Sequence, residues 1–177
     1  VLDALGQAPV HPPHGKFLYS NLGYIVAGHV AEVVTGKSWE ELIASLLFEP
    51  LGIRSVEWDQ DARGLPIGGW GLPLTARAMA RLGYLFLNQG VWEGRQVISA
   101  EWVQNATQTQ TATGGELGYG YQWWIYPRHS AFAALGRYGQ TIFVDPELDL
   151  VVVTQAQIAD HDPIFDLFET YLFPAVR

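Results

Sequence analysis

The chain has 177 residues, a hydrophobic fraction of 49% with seven Trp, eight Tyr and eight Phe, and a formal net charge of −8. That length suits one domain, and the aromatic content excludes a disordered chain. The acidic balance without a basic stripe argues against nucleic acid as a partner, the lack of an apolar run of about 18 residues argues against a helical membrane span, and the absence of Cys removes disulfides while leaving the compartment open.

The chain opens on Val1 with no Met and no charged leader, as the middle of a longer protein would. Pro12 and Pro13 forbid helix in "PVHPPHG". His11 and His14 flank them, and no third ligand at useful spacing makes them a metal site. After Asn21, apolar residues recur at Leu22, Ile25, Val26, Val30, Val33 and Val34, which predicts a helix that Gly36 ends. His29 falls within that helix as a surface or packing residue. Ser38-Trp39-Glu40-Glu41 is a capping box for a second helix that stops before Pro50. The segment 54–74 holds "DQDARGLPIGGWGLPL", too long a glycine-rich loop for a mere connection. Thr75 caps a third helix carrying Met79, Leu82, Leu85, Phe86 and Leu87, and Ser99 opens a short fourth.

From residue 118 the pattern changes. "YGYQWWIY", "AFAALG", "QTIFV" and "LVVVTQA" read as strands of an antiparallel meander. Asp145 and Asp149 are turn formers between the last two, not an acid pair. Trp123 and Trp124 alternate faces, one toward the core. "DPIFDLFETYLFPAV" closes the chain as a helix able to cover the sheet. Helices, then strands, then one helix indicate an α+β fold, divided as a mostly helical lobe over 1–117 and a strand-rich part over 118–177.

The triplet Tyr19-Ser20-Asn21 carries the first chemical signal. In a helix, residues two apart diverge by about 200°. In an extended segment they project to one side, so a helix starting after Asn21 leaves Tyr19 and Asn21 facing one cleft. A phenol can move a proton in acyl transfer, and a carboxamide can hold a substrate carbonyl. A Tyr with a pKa near 10 needs a cation beside it to serve as base, and only Lys16 is close in sequence. The plainer reading, Ser20 or Asn21 as N-cap and Tyr19 as packing, is favoured on pattern alone.

"GKFLYSNLGYIVAGHVAEVVTGKSWEELIASLLFEPLGI" resembles the Y-x-N segment of the serine β-lactamase and penicillin-binding-protein-like hydrolases. That group includes class C β-lactamases, DD-peptidases, related esterases and 6-aminohexanoate-dimer hydrolases. "GGWGLPLTARAMARLGYLFLNQGVWEG" resembles the glycine loop and following helix of its esterase and aminohexanoate-hydrolase branch, and "YGYQWW" and "GQTIFVDPELDLVVV" its closing sheet. The resemblance implies a β-lactamase/transpeptidase-like fold, a small ester or amide substrate and no cofactor. It makes Tyr19 the proton-transfer residue and Asn21 a substrate-binding amide. The family's third motif falls on Ala134-Leu135-Gly136, along which substrate would lie, and the backbone N–H of Arg137 would be an oxyanion donor. Trp70 is a candidate cleft wall, with core packing the alternative.

Two departures stand out. None of the six Ser is followed three places on by Lys, so the family's S-x-x-K nucleophile motif is not in this sequence. Ala134 stands where the family has a cation, and in a regular strand Arg137 would point away from it. The expectation is therefore a C-terminal portion of a serine hydrolase, inactive alone, acting on a less anionic ester or amide. A non-catalytic binding or scaffold domain of the same fold is the alternative. A separate N-terminal half is a further candidate partner. Without N-terminal strands beside it, "DLVVVT" would be an open edge, and association or poor solubility is expected.

Overall fold

The computed structural model describes residues 16–54, 57–62, 64, 66–127 and 130–176. His11 and His14 lie outside the described residues. Contacts group the chain into two compact units, Val1–Leu74 and Thr75–Arg177.

In the first unit, α1 spans Asn21–Thr35. It ends where Gly36 adopts a left-handed conformation, φ 69°, and donates its N–H to the Glu32 carbonyl. Helix α2, Trp39–Ile43, starts with the expected capping box: Ser38 Oγ accepts from Glu41 N–H, and Glu41 accepts from Ser38 N–H. Hydrogen bonding from the Ser38 backbone N–H, then from its hydroxyl, lowers the pKa of the Glu41 carboxyl. A π-helical turn, Ala44–Phe48, continues α2. Glu32 ties the helices together, accepting from His29 Nδ1 at 2.8 Å and from Trp39 N–H at 2.9 Å.

The second unit is layered. Helix α3, Ala76–Leu87, is capped by Thr75, and α4, Ala100–Ala106, by Ser99, both as expected. A two-stranded hairpin, β1 (Val91–Trp92) and β2 (Arg95–Gln96), lies between them. The main sheet has six antiparallel strands in chain order: β3 (Thr111–Ala112), β4 (Gly118–Tyr119), β5 (Trp124–Ile125), β6 (Phe132–Gly136), β7 (Gln140–Asp145) and β8 (Leu150–Thr154). This is the expected meander, with β8 at an edge. Asp145 Oδ1 accepts from Glu147 N–H and Leu148 N–H, forming the turn before β8, and Asp149 sits at φ 49°.

Helices cover both faces of the sheet, which is why β7 is buried at every position from Thr141 to Asp145. On one face, Gly83 of α3 packs so closely that a Cβ would meet Val151 at 2.6 Å and Ile142 at 2.8 Å. On the other, α5 (Asp162–Leu167) and the turns after it bring Ile164, Phe168 and Phe173 against Ala131, Ala133 and Phe143. Trp123 enters the core beside Phe86 and Phe132, while Trp124 stays half-buried, edge-on to Tyr119.

Tyr126 stands in the α5-side cluster, 5.4 Å from Phe165 and 5.6 Å from Phe143 between ring centroids. Burial pushes its phenol well above the ordinary range. A raised pKa means the stability is fully present below about pH 10 and is lost as pH climbs toward the folded-state value. Tyr126→Phe is therefore expected to flatten the alkaline fall in Tm above about pH 10, read by calorimetry at several pH values.

Candidate functional site

Tyr19, Asn21 and Trp70 belong to the first unit, and Ala134–Arg137 to the second.

The helix begins one residue earlier than expected. Asn21 is its first residue, and Ser20 is the N-cap, extended at φ −149°, ψ 123°, with Oγ accepting from Leu22 N–H at 3.3 Å. The reason is local: Ser20 reaches the N–H two residues on, so Asn21 need not cap. Because Ser20 does the capping, the side chains on either side of it are spared that task. Tyr19 lies in the non-helical entry, 48% exposed. Partial burial, then the neighbouring Tyr24, push its phenol above its ordinary value of 10.0. It is thus a neutral phenol at pH 7 within this chain, the opposite of a ready base.

Asn21 is half-buried, and its buried Oδ1 finds no hydrogen-bond donor among the described residues. An orphaned buried acceptor costs about 1–3 kcal/mol, a cost that folded proteins keep at few places. The glycine loop crosses directly over this residue. A Cβ on Gly69 would stand 2.9 Å from Asn21 Cβ, and one on Gly68 would stand 3.2 Å from the Tyr24 carbonyl oxygen. Only glycine lets the loop backbone lie this close to the first turn of α1. The loop is stapled by Trp58, whose Nε1 donates to the carbonyls of Ile67 at 2.9 Å and Trp70 at 3.1 Å. Asp59 N–H donates to the Gly71 carbonyl, and Ile67 N–H to that of Asp59. Trp70 follows Gly69 and is 53% exposed, so it is not a core residue. Sequence reading missed Gly68, Gly69 and Trp58 as positioning residues; the "GGWG" run inside an overlong loop was the available signal.

In the second unit, Ala134 pairs with Ile142, Leu135 with Thr141 and Gly136 with Gln140. Leu135 packs against the Phe143 cluster on the α5 face, so its neighbour Ala134 faces the other way. Gly136 is in ordinary extended conformation, φ −99°, ψ 164°, and a Cβ there would come within 3.0 Å of Gln140 Cβ. The strand ends at Gly136. Arg137 is therefore not a strand residue, and strand alternation does not set its side chain. It opens a tight turn, Arg137–Gly139, with Tyr138 left-handed at φ 66° and Gly139 at φ 83°. The exposed Arg137 guanidinium lies 4.6 Å from the Tyr138 ring centroid. The turn is pinned from β8 and beyond: Thr154 Oγ1 donates to the Gly139 carbonyl at 2.8 Å and Gln140 Nε2 to the Ala156 carbonyl at 2.6 Å. A fixed backbone N–H at such a turn can serve as a preorganised donor to a developing oxyanion.

Comparison with known proteins adds the wider context. A family model described as Beta-lactamase matches residues 3–166. The 6-aminohexanoate-dimer hydrolase of Paenarthrobacter ureafaciens is 29% identical over 160 residues, covering 84% of this chain and 41% of the relative. A solved structure of a putative 6-aminohexanoate-dimer hydrolase from Bacillus anthracis superposes with a TM-score of 0.85 at 28% identity, covering 96% of this chain and 46% of that one. Simvastatin synthase from Aspergillus terreus shares the fold at 15% identity, TM-score 0.77, over 97% of this chain and 57% of its own. The chain spans less than half the length of the two hydrolase relatives. No helix among the described residues is long and apolar enough to cross a membrane.

Proposed function

The chain belongs to the beta-lactamase family, and on that premise we propose that it supplies one wall of a serine hydrolase site that cleaves ester or amide bonds through an acyl-enzyme. The observation that carries this reading is the entry to α1, where Ser20 takes the cap and Asn21, next but one to a half-exposed Tyr19, keeps a buried Oδ1 with no partner among the described residues. In the proposed reaction, a Ser outside these 177 residues attacks the acyl carbonyl. Tyr19, with a Lys also outside them, takes the Ser proton and returns it to the leaving oxygen or nitrogen. The carbonyl oxygen becomes an oxyanion and Asn21 orients the acyl donor; Arg137 N–H as oxyanion donor and Ala134–Gly136 as substrate strand are roles that rest on the family resemblance alone. Water then releases the acid from the acyl-enzyme.

Ala134 offers no charge to a substrate carboxylate, which favours a less anionic ester or amide. A linear amide is the nearest precedent, since two relatives bear the name 6-aminohexanoate-dimer hydrolase. Tyr19, with its phenol raised and no nucleophile motif in the sequence, is expected to leave the purified 177-residue chain inert toward p-nitrophenyl acetate. A stoichiometric burst of nitrophenolate above the buffer rate would contradict this division of the site.

A further inference from the structure

The first unit also carries a cavity whose lining includes neither Tyr19 nor Asn21. It lies beside α2 with a volume of about 360 Å³, within the roughly 300–1,000 Å³ range of small-molecule sites. Phe48, Ile53 and the indole of Trp58 give it apolar walls, and Glu40, Glu49 and Arg54 supply its charges. Two features make it a built site. The Trp58 ring is locked by its two bonds to the Ile67 and Trp70 carbonyls and packs 6.3 Å from the Trp39 ring, so it loses little freedom when a ligand arrives. The helix wall is the π-helical turn Ala44–Phe48, closed by Glu49 N–H to the Ala44 carbonyl at 2.8 Å, and such turns recur at functional sites.

The charges decide the ligand. Among the described residues, no hydrogen bond or ion pair engages the side chains of Glu40, Glu49 or Arg54. Two carboxylates against one guanidinium leave the lining net negative, and an indole face attracts a cation. We propose that this cavity binds a small organic cation, an ammonium group on an apolar body. The ammonium pairs with Glu40 and Glu49, while the body lies on Trp58, Phe48 and Ile53.

Calorimetric titration of the 177-residue chain with phenethylammonium, 2-phenylethanol and 3-phenylpropanoate tests this. The amine is expected to bind with a Kd of about 0.1–1 mM, the alcohol at least about tenfold more weakly, and the carboxylate no better than the alcohol. The amine should also shift the Trp58 indole N–H resonance, and the double substitution Glu40→Gln/Glu49→Gln should weaken it about tenfold. Both Glu are exposed, so folding survives the change, which an unchanged circular dichroism spectrum checks. Equal affinity for alcohol and amine, preference for the carboxylate, a silent Trp58 resonance or an unaffected double variant would each overturn the proposal.

Discussion

In the intact protein, Tyr19→Phe is expected to lower kcat/KM for an activated ester by about 10²–10⁴-fold, the usual contribution of a positioned proton-transfer group. The ring is half-exposed in the non-helical entry to α1, so Phe keeps its contacts and loses only the hydroxyl. A change in Tm of no more than a few degrees is expected beside that rate loss. Within this chain the phenol is raised, first by burial and then by Tyr24. A cation beside it would bring it back toward the working range, because an opposite charge favours the phenolate. On the proposed function, the intact protein should therefore gain activity as pH rises through the apparent pKa of the proposed Lys–Tyr pair, and that limb should vanish in the Phe variant. An unchanged kcat/KM in Tyr19→Phe, with the limb intact, would remove Tyr19 from proton transfer.

Phe143→Ala is expected to cost about 3–5 kcal/mol of stability, the range for truncating a buried aromatic. Phe143 is 3% exposed at the centre of β7. Its ring stands 5.6 Å from Tyr126, 5.7 Å from Phe168 and 5.6 Å from Phe173 between centroids, so one deletion opens the whole α5-side layer. With a domain's total near 5–15 kcal/mol, about a third of its stability would go, and Tm should fall by roughly 6–20 °C. Phe143→Leu keeps most of the volume and should lose much less. Thermal unfolding of both variants measures the contrast. Equal losses would show that the packing of α5 on the sheet does not depend on the aromatic contacts.

The long strands were legible because they alternate or run apolar between clear turn residues, as in "QTIFVDPELDLVVVT". The capped helices were legible because Ser38, Thr75 and Ser99 each make the bond their type predicts. The two-residue pairs β1–β2 and β3 were not, since two residues have no period. The π turn after Ile43 was hidden as well, because its composition is that of any helix. At the candidate site, Ser20 and Asn21 both stayed open as the cap and the helix start was placed one residue late, because Ser and Asn cap about equally well and only the Ser20–Leu22 bond separates them. Extending strand alternation to Arg137 failed because Tyr138 and Gly139 turn left-handed immediately after it. The close approach of Gly69 to Asn21 is a long-loop contact that local pattern does not encode.

The proposed division of the site, Tyr19 with Asn21 in this chain and a nucleophile elsewhere, is tested most directly by covalent labelling. The intact protein, treated with a fluorophosphonate and mapped by peptide mass spectrometry, should carry the label on one Ser outside residues 1–177, more slowly in Tyr19→Phe than in the parent. A label on any of the six Ser within these residues, or on no Ser at all, would contradict the account.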